Sequence, residues 1–353
     1  MAAWMGRPIR ARAAPRQDGE HRVSSWRTIV ASRWFRLILS SALLLLLLRT
    51  TNLAAMRAAL AQARPSWLAM ALVAGLISQT LSAYRWALLA WSVGFGESFA
   101  RIWIYYFRGM YLNLFGPGTV AGDVGRVVFL AAGRRRALAL STVLAHRTIG
   151  FVSLVWIGAL AILLLPDQPF PASARWLAGL AIPSTFAGWV WGPRMLVRLL
   201  PRLNNWRILI ERDMAPYWHD RLLLATQLVL ASAAQLLQIA AQLFVAQALG
   251  LRLPWAFFLA VVPIVTIVGT LPFSLQGVGV REAGYWYYLS RIGVQREAAV
   301  AVGLLTSAVI LLTGLAGLPA FLTVRQEERH ATEENADGAV RRGPADRSNI
   351  PPA

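Results

Sequence analysis

Apolar runs long enough to cross a bilayer recur along this chain, and they limit its fold more than any single motif does. Six stand out, at 34–48, 67–93, 138–165, 176–191, 222–249 and 298–324. A helical crossing takes about 20 predominantly apolar residues. Lipid offers no partner to backbone N–H and C=O groups, so such runs must become helices that close their hydrogen bonds internally. The expected fold is an all-α polytopic membrane protein. Composition agrees: 57% of residues are hydrophobic and 14% charged, whereas soluble domains are about one quarter charged. An ordinary soluble globular protein is excluded.

Charge sets the orientation. The chain carries 35 basic residues, all arginine, against 16 acidic ones, a net charge of +19. The arginines sit mostly between the apolar runs, which fits an anionic inner leaflet and not nucleic acid. Residues 1–33 read as a flexible basic cytoplasmic arm. The run 34–48 reads as a retained anchor, because apolar sequence continues far beyond it and no A-x-A-like cleavage site stands out. With the halves at 34–165 and 176–325, the stretch 193–221, within the second, holds six Arg against three acids, interleaved with Trp206, Tyr217 and Trp218. It reads as an amphipathic cytoplasmic linker. Residues 326–353 read as a disordered cytoplasmic tail. Six crossings place both termini on one side, the cytoplasmic one; Arg57 and Arg64 in the connection 50–66 run against that count.

Two further apolar segments are short and broken. One runs from Ile102 to Phe115 and ends in Gly116-Pro117-Gly118; the other runs from Trp255 to Leu271 and ends at Pro272. Each is short enough to be one limb of a re-entrant pair. The strings that follow are Pro117-Gly-Thr-Val-Ala-Gly122-Asp-Val-Gly-Arg126 and Pro272-Phe-Ser-Leu-Gln276-Gly277-Val-Gly279-Val-Arg281. Pro-to-Gly and Pro-to-Arg spacings are the same in both, and the crossing count opens the two breaks from opposite sides. Such broken segments at corresponding positions of two halves mark a transporter's midplane site and a pseudo-symmetric inverted repeat. Two coincidental membrane turns would give similar strings, since Gly and Pro are common there.

Ionisable residues sit close to these breaks. Asp123 and Arg126 follow the first, Arg281 and Glu282 the second, His146 and Arg147 lie inside 138–165, and Arg85 lies inside 67–93. Charges at membrane depth face a bundle interior or a polar cavity, where they are paired or functional. Ion pairs such as Asp123 with Arg147 and Glu282 with Arg126 are one outcome. The other follows from number: four arginines exceed two carboxylates, and the surplus favours an anion such as a lipid phosphate, which Arg grips bidentately. Gln235, Gln238 and Gln242 share a helical face, with Gln227 two turns earlier, and Ser78, Ser82 and Arg85 share another. These stripes suit either interhelical hydrogen bonds or a headgroup groove. Asn113, just before the first break, is placed to cap or to bond a freed carbonyl. The chain has no Cys, only four His, no Walker string, no HExxH and no GxGxxG opening a βαβ unit. No metal and no cofactor are expected.

Taken together, Asn113-Leu-Phe-Gly-Pro-Gly118 with Gly122-Asp123 and Arg126, His146-Arg147-Thr-Ile-Gly150, and Leu271-Pro-Phe-Ser-Leu-Gln-Gly277-Val-Gly279-Val-Arg281-Glu282 resemble the flippase-like, or lysylphosphatidylglycerol synthase transmembrane, family. The resemblance spans roughly 35–325. It implies a multi-pass protein of a bacterial cytoplasmic (inner) membrane that handles anionic or polyprenyl-linked lipids. Where the family usually has two Gly before the Asp, this chain has Ala121-Gly122-Asp123. Only residues 326–353 follow the last run, so a soluble transferase domain, and with it lysylphosphatidylglycerol synthesis, is not expected. The leading expectation is a lipid translocase or lipid-binding transporter whose arginines hold a headgroup. A membrane-embedded enzyme using Asp123, Glu282 or His146 as acid or base is the alternative, and an accessory partner of a separate biosynthetic enzyme is a third. The apolar exterior permits a dimer, and nothing in the sequence requires one.

Overall fold

The computed structural model describes residues 33–115, 120–131, 135–165, 170–199, 217, 220–270, 277–320 and 322. Among them run eleven helices and no strand: α1 (Arg33–Arg49), α2 (Leu53–Ala61), α3 (Pro65–Ser92), α4 (Phe99–Asn113), α5 (Val120–Ala131), α6 (Arg136–Leu164), α7 (Ala172–Leu199), α8 (Arg221–Ala248), α9 (Trp255–Thr270), α10 (Val280–Ser290) and α11 (Arg296–Leu315). The basic arm, residues 200–216 of the expected linker, the tail from 323, and Gly116, Pro117, Gly118, Pro272 and Gln276 lie outside the described residues.

Local chemistry explains where the helices start. Pro65 opens α3 at its first turn, where its missing N–H is no loss. The Ser98 hydroxyl accepts from the Arg101 N–H at the start of α4, and Asp220 accepts from the Leu223 N–H at the start of α8. Four helices, α3, α6, α8 and α11 continued to Ala320, are long and apolar enough to cross a membrane. The protein is a multi-pass membrane protein.

Two of the six expected spans take another form. The first does not end in a plain connection: the chain bends by 98° after α1 and continues as α2. Asn52 causes this by accepting from the Ala54 and Ala55 N–H groups and nucleating a new helix inside the expected linker 50–66. Counted as one, this bent pair makes a fifth candidate span. The run expected at 176–191 lies within α7, a longer helix diluted by Ser173, Pro183, Ser184 and Thr185, and it is not among the candidate spans. Helix α7 also continues to Leu199, into the stretch read as linker.

The long helices form the centre. α8 packs along α3, and both contact α6 and α11. Their shared seam is polar in places: the Ser78 hydroxyl donates to the Ala234 carbonyl at 2.8 Å, and the Gln227 amide donates to the Arg85 carbonyl at 2.9 Å. The two short segments pack beside this centre as antiparallel pairs. In the first, Tyr105 of α4 meets Phe129 of α5 while Gly109 meets Gly122. In the second, Phe258 of α9 meets Tyr285 of α10, Val265 meets Gly284, and Gly269 meets Gly277. Gly122 is required where it stands, because a β-carbon there would run into the Gly109 carbonyl oxygen and the Asn113 side chain.

Candidate functional site

One cavity of about 240 Å³ opens between the two antiparallel pairs. Arg126 reaches it from α5, His146 and Arg147 from α6, and Arg281 from α10, with Tyr106 and Asn113 of α4, Gln79 of α3, and Thr266 and Thr270 of α9 completing its polar lining. Gln79 is the fifteenth residue of the 28-residue α3. At 1.5 Å per residue it lies about 20 Å from either end of that helix, near mid-depth.

Arg126 is 3% exposed and is held by aromatic faces. Its guanidinium lies 3.8 Å from the centre of the Tyr106 ring and 5.8 Å from that of Trp86. The Tyr106 hydroxyl donates to Gln79 at 3.0 Å, and the Trp86 indole donates to Thr142 at 2.9 Å, so both rings are fixed. Arg126 Nη1 is 3.7 Å from Asp123, while its Nε has no hydrogen-bond partner. Stacking of this kind stabilises a buried cation and leaves its N–H groups to the cavity.

Arg147 forms the closest ion pair. Its Nε donates to both Asp123 oxygens, at 2.9 and 3.2 Å, and its Nη2 donates to Oδ1 at 2.9 Å. The pairing of Asp123 with Arg147 expected from the sequence is present. The pairing of Glu282 with Arg126 is not. Glu282, fully buried, accepts from the Gly279 N–H and the Ser307 hydroxyl, both at 2.6 Å. Ser307 accepts in turn from Arg281 Nη1 at 2.8 Å. The reason is position: Glu282 sits in the first turn of α10, where a carboxylate caps free N–H groups.

The breaks are unlike in backbone form. Gly277 and Gly279 have φ of +81° and +85°, left-handed turns that lead into α10. Gly122, expected as their counterpart, lies inside α5. Asn113 takes the capping role, its side-chain oxygen accepting from the Gly122 N–H at 2.7 Å. It thereby bridges the first break.

Other sequence candidates fall outside the cavity lining. Arg85 is 2% exposed, its guanidinium lies against Gly150 of α6, and its Nε and Nη2 have no partner. On α8, Gln235 donates to the Gly150 carbonyl at 3.3 Å, Gln242 accepts from the Tyr285 hydroxyl, and Gln238 is half-buried. Gln227, Gln235 and Gln242 therefore act as interhelical bonds. Sequence reasoning overlooked Tyr106, Gln79, Ser307 and Arg108. Gln79 adjoins the Ser78 stripe, which could have signalled it. Arg108, a charge inside the 102–115 segment, donates to the Ala320 carbonyl at 2.6 Å and ties α4 to the end of α11. Among the described residues no group of His, Asp and Glu is arranged to hold a metal.

No curated protein matches the chain. Residues 33–317, most of the sequence and all the residues that line the cavity, match the family described as the lysylphosphatidylglycerol synthase TM region. The chain belongs to that family of lipid-related membrane proteins.

Proposed function

We propose that the protein is a lipid translocase or lipid-binding transporter that holds an anionic headgroup in the mid-depth cavity while the lipid tails stay in the bilayer. The observation that carries this reading is the meeting of Arg126, Arg147 and Arg281, from three helices, in one cavity between two antiparallel pairs. Hydrogen-bond donors fixed in a low-dielectric site favour a phosphate strongly. The protein sits in the bacterial cytoplasmic membrane with both termini cytoplasmic, and the two pairs form a pseudo-symmetric inverted repeat of re-entrant segments. Movement is passive or ion-coupled, with no nucleotide site implied. Two of the three candidate groups of an embedded enzyme are engaged, Asp123 by Arg147 and Glu282 by Gly279 and Ser307. The third, His146, meets the Ser82 carbonyl through Nε2 and keeps Nδ1 unpartnered.

The test is the identity of lipids that co-purify from native membranes, compared among wild type, Arg126→Ala and Arg281→Ala. One anionic class enriched over bulk membrane and lost in both variants is the expected result, followed by leaflet exchange of that lipid in reconstituted vesicles. Bound lipids that mirror the membrane and ignore both arginines would sink the proposal. A change in lipid mass in place of leaflet would favour the enzyme.

A further inference from the structure

The charges around the cavity do not balance, and the imbalance specifies a ligand. Arg147 is neutralised by Asp123 in direct contact. Arg281 is linked to Glu282 through Ser307. Arg126 receives only the distant edge of Asp123, and Arg85 has no carboxylate within ion-pair distance among the described residues. Arg85 packs on Gly150, one helical turn along α6 from His146 and Arg147, so its charge lies directly behind the cavity. Four guanidiniums therefore face two carboxylates, leaving two positive charges in buried surroundings. Segments 116–119 and 271–276, which adjoin the two breaks, contain no ionisable residue.

The lining is equally informative about what it omits. Among the described lining residues there is no carboxylate, and the nearest one, Asp123, is already gripped by a two-pronged guanidinium. A ligand amine entering here would meet three arginines and no free counter-charge. The neutral lining groups, Gln79, Asn113, Thr266 and Thr270, suit hydroxyl and phosphate oxygens. The volume equals that of about eight water molecules, room for a phosphate with a small polar substituent.

We infer that the cavity selects a headgroup with close to two negative charges and no amine, a phosphomonoester or diphosphate lipid end, over phosphodiesters and against aminoacylated headgroups. This rests on the anionic-headgroup reading above and narrows it. A phosphomonoester carries about −1.5 to −2 charges near pH 7, which matches the two uncompensated arginines; a phosphodiester would neutralise only one of them. An aminoacylated headgroup would add repulsion.

The experiment is a binding ranking on the purified full chain with lipids of identical acyl chains: phosphatidic acid, phosphatidylglycerol, lysyl-phosphatidylglycerol and phosphatidylcholine, read by native mass spectrometry. Phosphatidic acid is expected to bind about tenfold more tightly than phosphatidylglycerol, one charge near two guanidiniums being worth at least that much. Lysyl-phosphatidylglycerol should bind no better than phosphatidylcholine. Arg126→Lys keeps the order and Arg126→Gln flattens it. The ranking itself is taken on the wild-type protein and does not depend on either variant folding. Equal binding of phosphatidic acid and phosphatidylglycerol, with both above phosphatidylcholine, would overturn the two-charge selection and leave the proposed function standing. Tight binding of lysyl-phosphatidylglycerol would overturn the exclusion of amines. No anionic lipid above phosphatidylcholine would overturn the proposed function as well. Soluble glycerol 3-phosphate is included as a competitor; if it displaced phosphatidic acid at equal concentration, the site would belong to a free phosphate ester and the lipid source would be wrong.

Discussion

Asp123→Asn separates stability from binding in opposite directions. In the wild type the carboxylate accepts three hydrogen bonds from Arg147 and lies 3.7 Å from Arg126. The pair is neither fully buried nor free: the Asp123 side chain is 23% exposed and that of Arg147 38%. Removing one partner of a buried pair costs about 3–5 kcal/mol, whereas an exposed pair contributes about 0–1 kcal/mol. Discounted for this exposure, the loss in the lipid-free protein is about 1–3 kcal/mol. The same substitution frees the Nε and Nη2 donors of Arg147 for a phosphate and removes a competing negative charge. Affinity for an anionic lipid should rise several-fold. Thermal unfolding of the purified protein, with and without phosphatidic acid at about 100 times its Kd, reads both effects. Ligand at about 100 times the wild-type Kd adds about 2.7 kcal/mol to the wild type, and a variant that binds about five-fold more tightly gains about 1 kcal/mol more. The deficit of the variant should therefore shrink by about that amount when lipid is present. An equal deficit in both conditions, or weaker lipid binding by the variant, would refute the argument that Asp123 occupies a seat meant for the ligand.

Three other outcomes follow from named contacts. Gly122→Leu places a side chain against the Gly109 carbonyl and Asn113; α4 and α5 cannot close, and monomeric yield in size-exclusion chromatography should collapse. Glu282→Ala strands the Gly279 N–H and the Ser307 hydroxyl, a loss of about 2–4 kcal/mol in unfolding assays, while Glu282→Gln recovers part of it because an amide oxygen still accepts. Tyr106→Leu removes the ring under Arg126, which should weaken anionic-lipid binding by about 1–2 kcal/mol; Tyr106→Phe keeps the ring and loses only the hydrogen bond to Gln79, so its affinity should stay near that of the wild type.

The long apolar helices were legible because a crossing needs a run of apolar residues, and such runs are visible without a partner structure. The boundary at Asn52 was also written in the sequence, as a capping residue ahead of Leu53, yet it is overshadowed by the apolar run that precedes it. The positions of Arg126, Arg147 and Arg281 could be named from the sequence because charges are rare in apolar surroundings. Their partners could not, since Glu282 has two ways to be satisfied and only the path of α10 decides between capping its own helix and reaching Arg126. Gly122 and Gly277 show the same limit. Equal spacing from Pro places them at matching positions, but a glycine inside a helix and a glycine at φ +81° read alike in sequence.

What separates binding groups from structural glue in this protein is the partner that each polar atom finds. The polar atoms of the α3 and α8 stripes end mostly on backbone carbonyls of neighbouring helices: Ser78 on Ala234, Gln227 on Arg85, Gln235 on Gly150. These donors are satisfied without a ligand, although Gln227 Oε1 has no partner, and substituting the three residues should affect folding first. Around the cavity the pattern reverses. Arg126 Nε, His146 Nδ1, and Arg85 Nε and Nη2 are buried and have no partner. An unsatisfied buried polar atom costs about 1–3 kcal/mol, and charged ones cost more. Arg126 and His146, on α5 and α6, line the cavity, and Arg85 of α3 lies behind them against Gly150. Together they form a deficit that a bound phosphate can reduce by supplying acceptors to the first two and charge to all three. The unliganded protein should therefore be markedly less stable than the lipid-bound one, and exhaustive delipidation should lower the unfolding temperature of wild type far more than that of a variant in which Arg85 and Arg126 are both replaced by Met. If delipidation destabilised the two alike, the unpartnered atoms would not be waiting for a ligand, and the cavity would be a by-product of how the helices pack.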